Sequence, residues 1–387
     1  MSNKNNCPVD LQKFSDLRNE DARNRLLLEC LSDDRHRALL FDEINLRGGT
    51  LSFPSRDSGQ RERDGGDLGM PRRPPAFRHR DVVLITDRTA IQDVLLDRGA
   101  TYSSRVYAEL GGGSFMLALD PKTAVAHMEQ RDAFFKCFPH DGDLLRKLAH
   151  AACQAASVMA LKAPEFDLAA FAEQAAIRFC QKLMGYSFRD YTLLEATLRA
   201  AYRGLVYQVL GRHFATDPLA IPAAKQAMAR LLARTSELID AYATNDEDGL
   251  RGCEDSAGTL GLQRVLPKLA KETLDLNAEQ RAVLAVGAAV GTVGNVQAAA
   301  CIAVKALFLD DAGRKTAREL ALGEPGSRET SDREFGIWKD LLQQSLRDNP
   351  PIPFLPRVRI DTNGDFVDEV LLALGGGTRS ITAPSGA

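Results

Sequence analysis

Histidines, cysteines and a few arginines are the residues from which this chain could build a reactive centre. The six histidines, His36, His79, His127, His140, His150 and His213, are scattered, and none pair at metal-ligand spacing, so no zinc site is expected. The seven cysteines, Cys7, Cys30, Cys137, Cys153, Cys180, Cys253 and Cys301, form no C-x-x-C pair and are odd in number. Such thiols pack as small hydrophobes and fit a reducing compartment. The opening MSNKNNCPVDLQKF is polar and has no apolar signal core, so a cytoplasmic location is expected. Protease, hydrolase, P-loop and dinucleotide strings are absent. The glycine runs Gly111 to Gly113 and Gly375 to Gly377 lack a following Lys-Ser/Thr and read as tight turns.

Three stretches carry more. In HMEQR, His127 and Arg131 stand four residues apart. On a helix that spacing puts two cationic donors on one face, able to grip a carboxylate, although a solvated helix face explains it too. The apolar stretch AVLAVGAAVGTVGNVQAAA holds Gly287, Gly291 and Gly294. Each costs about 1 kcal/mol against alanine in a helix, so something must approach the backbone there, either a crossing helix or a flat ligand. In LLQQSLRDNPPIPFLPRV a helix ends at Arg347, Pro350 and Pro351 force an extended exit, and Arg357 follows on a short strand.

The elements that must position these residues are mostly helices. Residues 11–46 look helical and strongly charged, and Gly48 to Arg80 reads as a mobile loop or linker. Val82 to Ile85 form a strand, and Asp87 caps a helix through Leu96. Asp167 and Gly185 bound one helix, Asp190 caps the next, and Pro222 opens another running to about Tyr242. Asn277 and Gln280 make a capping box for the apolar helix to Phe308. A helix over Glu334–Arg347 and a strand over Val370–Leu374 complete a mostly α fold with a small β part. Composition agrees: 387 residues, 44% hydrophobic, net charge −3, with no basic excess for nucleic acid. The run Ala282–Phe308 is the one membrane candidate, but Thr292, Asn295, Gln297 and Lys305 within it point to a buried helix rather than a span.

Taken in order, these stretches resemble the cytochrome P-450 family of haem-thiolate monooxygenases. DVVLITDRTAIQDVLLDRGATYSSR looks like the family's first strands, B helix and F-S-S-R signature, here Tyr102-Ser103-Ser104-Arg105. HMEQR resembles the C-helix H-x-x-x-R, and AAVGTVGN lies where the I helix crosses the distal face of the haem. LLQQSLRDNPPIPFLPR resembles the K helix and the P-P-x-P-x-x-x-R after it, and VLLALGGGTRS the next strand. The resemblance runs from about residue 76 to the end, leaving residues 1–75 as an N-terminal arm and linker. It implies a haem b cofactor with His127, Arg131 and Arg357 on its propionates, and a small apolar substrate. An electron donor or a partner chain is the expected partner.

Departures from the family pattern are specific. Gln344 stands where the K-helix clamp has glutamate, while Arg347 remains. Gly291 matches the I-helix glycine, but Val293 replaces the acid and Gly294 the threonine, and Asn295 follows. No proton relay to bound dioxygen is left at those two positions. The proximal cysteine loop would lie beyond Ala387, and the last cysteine is Cys301, so the fold is expected to be C-terminally incomplete, with no metal ligand. Two readings follow. One is a haem oxidoreductase lineage that inserts oxygen into, or rearranges a hydroperoxide of, a small apolar molecule. The other is a non-catalytic fragment or partner-binding scaffold.

Overall fold

The computed structural model describes residues 20–54, 81–97, 101–107, 110, 124–162, 165–214, 217–253, 263–272, 276–309, 314–315, 343, 345–346, 351, 353–360 and 366–374. In chain order come α1 (Glu20–Ser32), α2 (Asp34–Leu46), β1 (Thr50–Pro54), β2 (Asp81–Ile85), α3 (Arg88–Leu96) and β3 (Tyr102–Ser103). The helices α4 (Ala124–Lys136), α5 (Gly142–Ala160), α6 (Leu168–Met184), α7 (Tyr191–Val209) and α8 (Ala220–Thr244) follow. They lead to α9 (Val265–Lys271), α10 (Ala278–Leu309), β4 (Phe354–Ile360) and β5 (Phe366–Ala373). The chain divides into two compact units. The first is Met1–Asp97, His213–Ala215 and Ala299–Ala387, and the second Arg98–Arg212 and Thr216–Ala298.

The first unit is organised by a sheet. β1 runs antiparallel to β2, β2 parallel to β5, and β5 antiparallel to β4. β5 is therefore central, and its Leu371 and Leu372 are fully buried, as a strand covered on both faces requires. Val83 sits beside Val370 and Leu84 beside Leu371, so the chain's early and late parts share one ladder. Arg359 and Asp368 pair across β4 and β5. Leu27, Leu31, Leu40, Phe41 and Ile44 of α1 and α2 are buried, with the Phe41 and Phe354 rings edge to face.

The segment expected as a loop from Gly48 corrects itself here. Thr50–Pro54 is a strand with Phe53 buried, because β2 supplies its partner edge. Residues 55–80 lie outside the described residues.

The second unit is a helical core. α6 starts where the Asp167 carboxylate accepts from Ala170 N–H at 3.0 Å. It ends at Gly185, whose φ of 95° is the left-handed conformation that glycine tolerates. Its buried residues Ala172, Ala176, Ile177, Cys180, Leu183 and Met184 follow the helical period. Two polar contacts inside join its helices: Tyr186 and Thr235 share a 2.7 Å hydrogen bond, and Tyr242 donates to the Gly185 carbonyl at 2.8 Å.

Asp190, expected to cap α7, makes no side-chain cap there. Its carboxylate instead accepts from Ser187 N–H at 3.0 Å, and from Arg234 Nε at 3.0 Å. A short 3-10 turn over Phe188–Asp190 intervenes, so the acid closes that turn's capping box instead.

α10 begins with the expected reciprocal pair: Asn277 accepts from Gln280 N–H at 2.9 Å, and Gln280 from Asn277 N–H at 3.0 Å. Ala282 and Leu284–Val286 lie in the second unit's core, as do Ala288–Val290 and Val293. The stretch Ala278–Lys305 is long and apolar enough to cross a membrane, with mean hydropathy 1.5 over its best window. Yet 56% of that window is buried within the protein, as in a central core helix.

Of the helix expected over Glu334–Arg347, Gln343, Ser345 and Leu346 are described and helical, whereas Gln344 and Arg347 lie outside the described residues.

Candidate functional site

His127 and Arg131 both fall on α4, four residues apart as expected. The side chain of His127 lies outside the described residues. Arg131 turns to its own neighbour, donating from Nε and Nη2 to the Asp132 carboxylate at 3.2 and 3.0 Å. An exposed ion pair of this kind is weak, but it puts a carboxylate beside the guanidinium that was expected to grip one. Arg357 is on β4, as expected, in the first unit, and its Nη1 donates to the Pro356 carbonyl at 2.8 Å.

The two α10 glycines differ in what they face. A Cβ added at Gly291 would meet nothing within 4 Å. One added at Gly294 would overlap the Tyr202 ring, lying 2.6 Å from Cδ2 and 3.1 Å from Cζ. The Tyr202 ring of α7 therefore explains Gly294, and among the described residues nothing in the packing explains Gly291. Val293 is buried against the core, and Asn295 is half-buried. The turn Val293–Gly294 thus offers neither a proton-relaying group nor room for a larger side chain.

Haem-thiolate ligation needs a cysteine sulfur that is open to the iron. Burial raises the Cys180 thiol to about 12 and, chiefly by the same cause, Cys137 to about 11. Cys153 is exposed, yet partial desolvation raises it as well. At neutral pH these groups are held as thiols. Among the described residues no three His, Cys, Asp or Glu side chains converge as a metal site. Cys137 and Cys180 are packed in the second unit's core, at 1% and 0% exposure, with no face open to a porphyrin iron, so these two do not fit haem-thiolate ligation.

Two pairings carried no sequence signal. Tyr202 on Gly294 is one. The other is His213, fully buried on a 3-10 turn, with Nε2 3.4 Å from Glu369 Oε1 on β5 and Phe53 and Phe214 edge-on to its ring. Both join residues distant in sequence, and no local spacing encodes them.

No family model matches the chain, and no curated protein matches it either. Solved structures do. Cytochrome P-450 BioI, in complex with an acyl carrier protein ligated to hexadec-9Z-enoic acid, superposes with a TM-score of 0.58 at 14% identity, covering 88% of this chain and 77% of that one. A zebrafish cytochrome P-450 with progesterone gives 0.58 at 15% identity over 88% and 79%. Ligand-free cytochrome P-450 TbtJ1 gives 0.52 at 18% identity over 75% and 68%. At these identities the likeness speaks to architecture, and it agrees with the helix order and small mixed sheet described above: the chain has a cytochrome P-450-like fold.

Proposed function

We propose that this chain is a cytochrome P-450-like protein that works by binding a partner, without haem-thiolate oxygen chemistry of its own. The observation that carries the reading is the turn Val293–Gly294. The family's acid and alcohol are replaced there by an apolar side chain and a glycine on which the Tyr202 ring lies. The packing of Cys137 and Cys180 into the hydrophobic core supports it. The test is to titrate the purified protein with ferric haem and record the carbon monoxide spectrum after reduction. No stoichiometric uptake and no thiolate-type band are expected; a full band overturns the reading.

A second reading, favoured by the open space over Gly291 beside half-buried Asn295, keeps the chain in a haem oxidoreductase lineage acting on a small apolar substrate. In it His127, Arg131 and Arg357 hold the propionates, and a separate electron donor or partner chain completes the enzyme. A histidine-type spectrum that weakens when Arg357 is replaced by alanine would favour this reading.

A further inference from the structure

A cavity of about 130 Å³ lies among α6, α7 and α10, within the second unit. Ile177, Leu198 and Val293 supply apolar wall, and Tyr202 also lines it. We propose that this cavity binds one neutral aromatic ring carrying a hydrogen-bonding group, of the phenol class. The proposal does not depend on whether the chain binds haem.

Size sets the first limit. Cavities of about this volume admit a single benzene-sized ring and little more. Charge sets the second. Arg199 holds the Glu173 carboxylate from Nε at 2.9 Å and Nη2 at 2.6 Å, and reaches Glu195 at 3.1 Å. Arg203 holds Asp217 at 2.7 Å. The cations at the wall are thus already matched by acids, and an incoming carboxylate would meet Glu173 while gaining no unpaired cation. An incoming cation would have to displace Arg199 from two glutamates. A neutral ligand leaves these partly exposed pairs in place.

Hydrogen bonding sets the third limit. Gln297 donates to the Ala169 carbonyl at 3.3 Å and is engaged. The Tyr202 hydroxyl has no hydrogen-bond partner among the described residues, and desolvation raises its pKa, so it stays a neutral donor. A ligand oxygen accepting from it would take the place of water at a half-buried hydroxyl. Gly294 fixes that ring by allowing it to lie on the helix backbone.

The experiment is a titration of the full chain with phenol, benzene and benzoate, followed by methyl NMR with Val293, Leu198 and Ile177 as reporters. Phenol is expected to saturate near millimolar concentration, shifting those three methyls, with benzoate at least about tenfold weaker. Tyr202→Phe is expected to weaken phenol about fivefold, one hydrogen bond's share, and leave benzene unchanged. Should that variant fail to fold, the phenol-over-benzene preference of the unaltered protein carries the same information. Absence of saturation at about 10 mM phenol, shifts confined to other methyls, or benzoate binding as well as phenol would each overturn the proposal.

Discussion

Gly291 and Gly294 stand one turn apart on α10 and should respond oppositely to the same substitution. At Gly291 an added methyl finds open space, so Gly291→Ala should raise stability by up to about 1 kcal/mol through helix propensity alone. At Gly294 the methyl meets the Tyr202 ring, and the overpacking should outweigh propensity, for a net loss of about 1–3 kcal/mol. Urea denaturation of the two variants checks both signs, and Tyr202→Ala in the Gly294→Ala background should recover part of the loss as a coupled pair. Cys180 makes a pH prediction at the same scale. Its folded value, about 12, lies above its unfolded value of 9.0, so its contribution is fully present below pH 9 and declines as pH rises toward the folded value. Unfolding free energy should therefore fall more steeply above pH 9 in the native sequence than in Cys180→Ala. The difference in slope should approach about 1.4 kcal/mol per pH unit. Equal slopes would mean that the thiol is not held protonated.

At the scale of elements, the start of α10 is a local device and should behave as one. Asn277→Ala removes the acceptor for Gln280 N–H and should cost about 1 kcal/mol with no change in fold, measured by denaturant midpoint at constant m-value. Amide exchange should be slowest from Ala282 to Val293, where the helix lies in the core, and faster from Asn295 onward, where residues are half-buried. These features were legible in the sequence because the information is contiguous: Asn277 and Gln280 are three residues apart, as are Asp87 and Ala90, and Asp167 and Ala170. Thr50–Pro54 was not legible. Its five residues are flanked by glycines and an arginine-rich run, and only the ladder to Asp81–Ile85 makes it a strand. Asp190 failed as a cap for a related reason. Arg234, from α8, and Ser187 compete for its carboxylate, and neither is visible from the helix it precedes. In the candidate site, position was readable and partnership was not: Arg131 and Arg357 lie on the expected helix and strand, but Asp132 and the Pro356 carbonyl hold them.

At the scale of the whole molecule, the sheet ties together stretches of chain that synthesis separates most widely. β2 is paired on one side by β1 and on the other by β5, so each stretch completes an edge that the other cannot supply. The sequence suggested that residues 1–75 form an arm outside a domain beginning near residue 76. The ladder bears on that boundary through a deletion. A chain beginning at Ala76 would lose β1 and leave the outer edge of β2 unpaired. It would also remove Leu27, Leu31, Leu40, Phe41, Ile44 and Phe53, all buried to within 1% exposure, from the first unit's core. Stripping several fully buried side chains, each a loss of about 1.5–3 kcal/mol, exceeds the whole margin of an ordinary domain. The shortened chain should therefore lose cooperative unfolding in the first unit and expose hydrophobic surface, read by calorimetry and dye binding. The helical second unit, Arg98–Arg212 with Thr216–Ala298, contains none of those residues and should retain much of its helix signal. A single unchanged thermal transition in the shortened chain would instead show that the residues before 76 are an appendage, and that β2 needs no partner on its outer edge.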